Sequence, residues 1–271
     1  MLKNEIILPG VQNSRELGGI PAGNSEVKKG VLIRTGMLHG ASPEAVKTIS
    51  ETYHVQRIVD FRMKFESTES RDPDIPGAIN INLPVVEIDD YIEKAGDIVM
   101  EKKDMLNLND RETMTKIAFE SGLIGPDMYL MFLLNDRGRK AYKEFFDILI
   151  EADPDKGAIL WHCTDGKDRA GLASALLLAA LGAEKEVIYE DFLLTNVFNA
   201  KKVEAIKEKY ADLPQDKLDA MIFVGGGVIE SYLTNVFDTM DKNFSGMSGY
   251  LSEGLGLKNE DVRILRDKYL T

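Results

Sequence analysis

The chain has one cysteine, one tryptophan and only three histidines in 271 residues. A single cysteine excludes a disulfide framework, a thiolate zinc cluster and any relay of paired cysteines. The histidines, His39, His54 and His162, show no metal-ligand spacing, so neither a metal nor another cofactor is expected. Positive charge is also short: 33 Lys and Arg against 45 Asp and Glu leave a net charge of −12. Such a chain repels polyanions, which argues against nucleic acid as a partner and disfavours an anionic membrane surface. A long apolar run is missing too. The longest, Ala170 to Leu181, is interrupted by Gly171 and Ser174 and is too short to cross a bilayer, so no integral membrane segment is expected. Met1 to Pro9 lacks the apolar stretch of a signal peptide, which makes a cytoplasmic location the expectation.

What is present is enough apolar sequence, 44%, for one large core or one core with an appended subdomain. Strand-like and helix-like segments alternate, which predicts an α/β fold with a mainly parallel sheet. Strands are predicted at Val31–Arg34, Arg57–Asp60, Ile79–Leu83 and Ala158–Trp161. Ser42 and Pro43 read as the cap and first residue of a helix reaching about Tyr53. Between Ile88 and Asn135 no strand pattern is visible. Helices are predicted there over Ile88–Met105 and Glu112–Leu134, a stretch too long for a plain connection and so a lid or small inserted subdomain. Gly138–Glu151 reads as an amphipathic helix, and the chain beyond Ala170 as helical throughout. Gly225-Gly-Gly227 has no Lys-Ser/Thr sequel, so it is a flexible turn between helices and not a nucleotide-binding loop.

The chemistry concentrates in Ile159-Leu-Trp-His-Cys-Thr-Asp-Gly-Lys-Asp-Arg-Ala-Gly171, where an apolar strand enters a polar loop that enters an apolar helix. Such a turn aims backbone N–H groups and the positive end of a helix dipole at one spot, and so makes an anion site. Cys163 opens the loop and Arg169 follows six residues later. Curled around a phosphate, that spacing puts the sulfur below phosphorus while the guanidinium grips two oxygens. The thiolate is the nucleophilic form of cysteine, and a field that suits phosphate suits that anion. Gly166 permits the tight turn, and His162 is expected to orient the loop. A bare Cys-x5-Arg recurs by chance. His before Cys, Gly at the third position after it, and Lys-Asp-Arg closing the loop make this one specific. A merely structural cysteine beside an ion pair would leave Asp165, Lys167, Asp168 and Arg169 crowded together without a task.

These residues resemble a known family. His162-Cys-Thr-Asp-Gly-Lys-Asp-Arg169 is similar to the His-Cys-x-x-Gly-Lys-Asp-Arg loop of the atypical bacterial protein tyrosine phosphatases. Asn13-Ser-Arg-Glu-Leu-Gly-Gly19, Arg34-Thr-Gly36 and Val59-Asp-Phe-Arg62 follow that family's order, and Ser248 to Leu257 with Leu265-Arg266 resembles its helical tail. The resemblance implies a tyrosine-phosphatase-like α/β fold, a central mainly parallel sheet flanked by helices. It implies one phosphatase domain over 1–271, with a helical lid over 88–135 and a helical C-terminal portion over 184–271. The implied substrates are phosphorylated proteins, phosphoinositides or small phosphomonoesters. Two positions depart from the family pattern. Ala170 stands where a Thr or Ser hydroxyl usually assists the leaving sulfur, and Asp165 where a small or apolar residue is usual. Both point to a slow or unusually tuned enzyme, and leave open a phosphate-binding module that turns over poorly.

The roles follow. Cys163 is the candidate nucleophile, Arg169 stabilises the phosphoryl oxygens, and Thr164, Asp165, Gly166, Lys167 and Asp168 complete the phosphate-binding loop. Asp168 is the first candidate for the general acid, because the loop itself places it. Asp60, at the end of a predicted strand, is the second, although it could simply pair with Arg62. Lys167 either faces a highly charged substrate or is a solvated charge. Arg15 fastens the N-terminal segment, and His39 and His54 are ordinary surface residues.

Overall fold

The computed structural model describes residues 4–95 and 124–271. Its strands are β1 (Arg15–Glu16), β2 (Pro21–Ala22), β3 (Ser25–Glu26), β4 (Leu32–Thr35), β5 (Arg57–Asp60), β6 (Ile79–Asn82) and β7 (Ile159–His162). β2 and β3 pair as a small antiparallel ribbon, while the main sheet runs β1-β4-β7-β5-β6. Only β1 is antiparallel to its neighbour. The sheet is therefore mainly parallel, as the alternation of segments predicts.

Neighbouring residues of the inner strands go to opposite faces, and the sequence alternates accordingly. Leu32, Val59, Ile159 and Trp161 join the larger core with the helices that follow. Ile33, Ile58 and Leu160 join a smaller core with Leu38, Ala45 and Ile49. β6 lies at the sheet edge, and Ile79 is 54% exposed there.

The smaller core is covered by α1 (Pro43–Lys47), capped by Ser42, whose hydroxyl accepts from Ala45 N at 3.2 Å. The predicted helix to Tyr53 does not continue as α; Thr48–Thr52 widens into a π turn. Thr48 and Ser50 hydroxyls bond back to Glu44 O and Lys47 O, a competition for carbonyls that loosens α geometry. The longer helices that follow among the described residues are α2 (Lys64–Glu69), α3 (Ile88–Ala95), α4 (Pro126–Leu134), α5 (Asp136–Glu151), α6 (Arg169–Leu181), α7 (Lys185–Phe198), α8 (Ala200–Lys209), α9 (Gln215–Val224), α10 (Glu230–Phe244) and α11 (Asn259–Tyr269). α3 is the described start of the helix predicted over Ile88–Met105; in the one predicted over Glu112–Leu134, Ile124 and Gly125 are not helical and α4 begins at Pro126, a residue suited to a first turn. Residues 96–123 lie outside the described residues. No helix among the described residues is long and apolar enough to cross a membrane.

α6 is buried on almost every side, as its uniformly apolar sequence requires. Its first turn is tied to the strand before the loop by Trp161 Nε1, which donates to Ala170 O and Ser174 Oγ, both at 3.2 Å. The C-terminus returns to the start of the chain: Lys28 N donates to Tyr269 O at 2.8 Å, and Leu270 bridges Val27. Thr35, His162 and Asp60 share one row at the carboxyl ends of β4, β7 and β5. Ligand sites of open parallel sheets lie beyond such a row.

Candidate active site

The loop from Cys163 to Arg169 leaves the carboxyl end of β7 and enters α6. Its carbonyls from Thr164 to Lys167 are claimed from outside. Met37 N donates to Thr164 O at 3.0 Å, and Asn13 Nδ2 to Gly166 O at 3.0 Å and Asp165 O at 3.3 Å. Arg34 donates to Gly166 O at 2.8 Å and to Lys167 O at 3.4 Å. Among the described residues no peptide bond is cis. In a planar trans peptide the N–H opposes the C=O. With the carbonyls of 164–167 drawn outward, the N–H groups of Asp165, Gly166, Lys167 and Asp168 face the hollow of the loop. Such an arrangement can serve as an anion nest together with the N-terminus of α6. Gly166 has φ +68°, and a Cβ there would come within 2.3 Å of Thr35 O and 2.6 Å of Gly36 N. Only glycine lets the loop lie this close to β4.

The anchors are themselves held. Asp191 in α7 bonds Arg15 Nε at 2.9 Å and Arg34 Nη1 at 2.6 Å, and Arg15 also reaches Asn13 Oδ1 at 2.5 Å. Burial alone would raise the Asp191 carboxyl, but Arg15 and Arg34 outweigh it and hold it below its usual range. Burial, reinforced by Arg15, lowers the Arg34 guanidinium to about 10. Arg15 thus does fasten the N-terminal segment, and through Asn13 it fastens the loop.

Cys163 is free and buried. At the mouth of the loop, Arg169 forms a two-pronged pair with Glu66: Nη1 to Oε2 at 2.6 Å and Nη2 to Oε1 at 3.2 Å. Thr164 Oγ1 donates to the same Glu66 Oε1 at 2.6 Å and accepts from Arg169 Nη2 at 3.1 Å. Glu66 Oε2 also accepts from Met63 N at 2.9 Å, so the first turn of α2 fixes the carboxylate. Burial would raise Glu66, but Arg169 reverses this and pulls it down to about 2. Burial lowers Arg169, and Glu66 more than restores it. Glu66 was not among the predicted residues. Its only signal is its place four residues after Asp60-Phe-Arg62, in the turn that follows a strand end.

Asp168 Oδ1 accepts from Tyr129 Oη in α4 at 2.8 Å, and its carboxyl is raised, chiefly by burial. Asp60 is placed differently. Its Oδ1 accepts from Arg62 N at 3.0 Å and Nε at 2.9 Å, and Oδ2 from Arg62 Nη2 at 2.8 Å. Arg62 also pairs with Asp72 at 2.7 Å. His162 lies between the carboxylates, Nδ1 3.8 Å from Asp60 Oδ1 and Nε2 3.1 Å from Asp72 Oδ2. Burial lowers the imidazole, but Asp60 and then Asp72 raise it above its ordinary value. Two carboxylates and an imidazole this close could ligate a cation. The Arg62 guanidinium already supplies that charge from within the cluster. His162 Nδ1 also lies 3.2 Å from Cys163 O.

Lys167 is not solvated. Its ammonium is buried and donates to Phe223 O and, at 3.1 Å, to Gly227 O. Ala170 is fully buried, and the nearby Ser174 hydroxyl donates to Ala170 O at 2.9 Å. His39 and His54 are exposed.

A buried cysteine under an anion nest, at the carboxyl edge of a mainly parallel sheet and closed by a carboxylate-held arginine, defines a phosphatase-type α/β fold. The profile described as the tyrosine phosphatase family matches residues 6–271, and the chain belongs to that family. It is similar to a Cupriavidus necator protein named "putative tyrosine-protein phosphatase", with 27% identity over 99% of this chain and 89% of the relative. It is also similar to the triple specificity protein phosphatase PtpB of Mycobacterium tuberculosis, with 23% identity over 96% of each. The chain is accordingly an enzyme, a protein-tyrosine-phosphatase-like phosphatase acting on phosphorylated substrates.

Proposed function

We propose that this phosphatase hydrolyses phosphomonoesters through a phosphocysteine on Cys163. The observation that carries the reading is the outward anchoring of four successive carbonyls around the cysteine, which leaves their N–H partners to hold three phosphoryl oxygens. Cys163 Sγ attacks phosphorus as the ester P–O bond breaks. Asp168 gives its proton to the departing oxygen, and its raised carboxyl suits that task. Water then attacks phosphorus, Asp168 takes up the water's proton, the S–P bond breaks, and inorganic phosphate leaves. Arg169, held in register by Glu66 and Thr164, meets the equatorial oxygens as charge shifts onto them. Asp60 serves the mechanism less well, since both of its oxygens are committed to Arg62.

The substrate is read as a phosphotyrosyl side chain, with other phosphoesters admitted; PtpB's printed triple specificity supports that breadth. The chain is read as one phosphatase domain in a cytoplasmic setting, with 88–135 as a lid and 184–271 as its helical C-terminal portion. Tyr129 of α4 on Asp168 and the burial of Tyr91 in α3 support the lid. The test is phosphate release from p-nitrophenyl phosphate and from phosphotyrosine and phosphoserine peptides, in chelator. Cys163→Ser is expected to abolish turnover while phosphate still binds. A variant keeping more than about a tenth of the wild-type kcat would contradict the covalent route.

A further inference from the structure

Lys167 sits in the middle of the phosphate loop, yet it is 3% exposed and its ammonium serves a different helix. Besides the carbonyls of Phe223 and Gly227, Nζ lies 4.2 Å from the centroid of the Phe223 ring. Phe223 belongs to the last turn of α9, where carbonyls have no partner within the helix and the dipole is negative. Lys167 therefore caps α9 as a basic residue of its own last turn would. The acceptor segment is fixed from the other side. Asn199 Nδ2 donates to Gly226 O at 2.7 Å, and Asn196 both donates to Val228 O at 2.9 Å and accepts from Val228 N at 2.8 Å. The expected flexible turn at Gly225-Gly-Gly227 is thus a held elbow between α9 and α10. Lys167 also faces the candidate general acid, with Nζ 3.7 Å from Asp168 Oδ2.

We infer that Lys167 is a positioning residue and not a substrate ligand. With Phe223 it anchors the phosphate loop to the α9–α10 elbow and sets the place and charge environment of Asp168. The inference rests on the Cys163–Asp168 mechanism above. To reach a phosphate, the ammonium would have to leave two carbonyls and an aromatic face in a dry site, which such burial opposes. The α9–α10 elbow thereby becomes part of the catalytic apparatus, far in sequence from the loop it steadies.

The inference carries a pH signature. Asp168 is faced by Lys167 and Asp165 from the loop, Arg169 from α6, Tyr129 from α4, Tyr91 from α3 and Tyr142 from α5. Burial raises the Asp168 carboxyl, and Lys167 is the first of the groups that oppose it. Removing that cation raises the carboxyl further. An acid that works protonated then stays active to higher pH.

The test compares Lys167→Met, Phe223→Leu and the double variant on two probes, p-nitrophenyl phosphate and a soluble short-chain phosphatidylinositol bisphosphate. Lys167→Met is expected to lower kcat by about tenfold to a hundredfold, by one factor on both probes, with KM little changed. Its alkaline limb should move upward. Phe223→Leu should act in the same direction by about threefold to tenfold, and the double variant should be no worse than Lys167→Met. Amide hydrogen exchange over residues 164–168 should rise in both single variants. A loss at least about tenfold greater on the bisphosphate would make Lys167 a substrate ligand and overturn the inference. Unchanged rate and exchange in Phe223→Leu would overturn it too, and this milder variant decides alone if Lys167→Met does not fold. Turnover surviving in Cys163→Ser contradicts the covalent reading instead; loop exchange needs no turnover and still decides the anchor.

Discussion

The outer face of the Cys163–Arg169 loop meets buried Asn13 and Arg34 and the Met37 N–H, while its mouth is lined by Thr164, Asp168 and Arg169, each partly exposed. Behind the loop every carbonyl from 164 to 167 is satisfied, and two of the donors are locked by Asp191, Arg34 directly and Asn13 through Arg15. At the mouth, Arg169 holds Glu66 and Asp168 holds Tyr129, partners that a phosphoester and its leaving oxygen can challenge. The charges at the back are spent on one another. On the proposed mechanism, the groups at the front take the substrate as their second partner.

Breaking the back should cost stability before it costs chemistry. Asp191→Ala leaves Arg15 and Arg34 buried without their carboxylate, and removing one partner of a buried ion pair costs about 3–5 kcal/mol. Denaturant unfolding is expected to show that loss, with activity falling only as the fold does. A variant with wild-type stability and poor turnover would erase the division between back and front.

Changing the front should cost chemistry and spare the fold. Asp168→Asn is expected to slow substrates with basic leaving oxygens by about a hundredfold or more, and good leaving groups far less. A leaving-group series of aryl phosphates reads this directly. Equal losses across the series would make Asp168 a brace and return attention to Asp60.

Glu66, the partner of Arg169 and Thr164 at the mouth, can be probed by pH. Its folded value of about 2 lies below the ordinary 4.5, so the unfolded chain binds its proton first as pH falls. The stability it contributes is full above about 4.5 and disappears as pH drops towards about 2. Glu66→Gln should therefore melt below the wild type at neutral pH, and the two melting temperatures should converge through that window. A gap that stays constant from neutral to acid pH would show that Glu66 acts by packing and not by charge.

The strands were legible where apolar residues run between turn signals. Arg57–Asp60 is found as predicted, and β4 and β7 are displaced by one residue from their predicted bounds. The Ser42-Pro43 start was equally plain because a hydroxyl cap and a proline at the first turn are local signals. Strand order was not legible, since β7 inserts between β4 and β5 by contacts over a hundred residues apart. The loop could be read because its chemistry lies in one contiguous run. Glu66 could not, as its contact with Arg169 spans 103 positions. The partners of Lys167 were hidden for a related reason: its acceptors are backbone carbonyls, which carry no residue-type signature. Asn13 and Arg34 were noticed as family landmarks, but their task of turning carbonyls outward becomes visible only in the fold.

Whether Cys163 carries the phosphoryl group is read most directly by rapid mixing of wild-type enzyme with an activated aryl phosphate, followed by acid quench and mass measurement of the Cys163 peptide. Position 170 offers no hydroxyl to the leaving sulfur, and Ser174 spends its own on Ala170 O. A hydrogen bond to a charged group is worth about 1.5–3 kcal/mol, or roughly a factor of 10 to 150 in rate. Breakdown of the intermediate should therefore be slow. The expected result is a phenol burst near one equivalent, with one phosphoryl group on the Cys163 peptide during it. Ala170→Thr should shrink the burst and raise the steady rate. Turnover with no burst and no phosphoryl group on that peptide would contradict a phosphocysteine on Cys163.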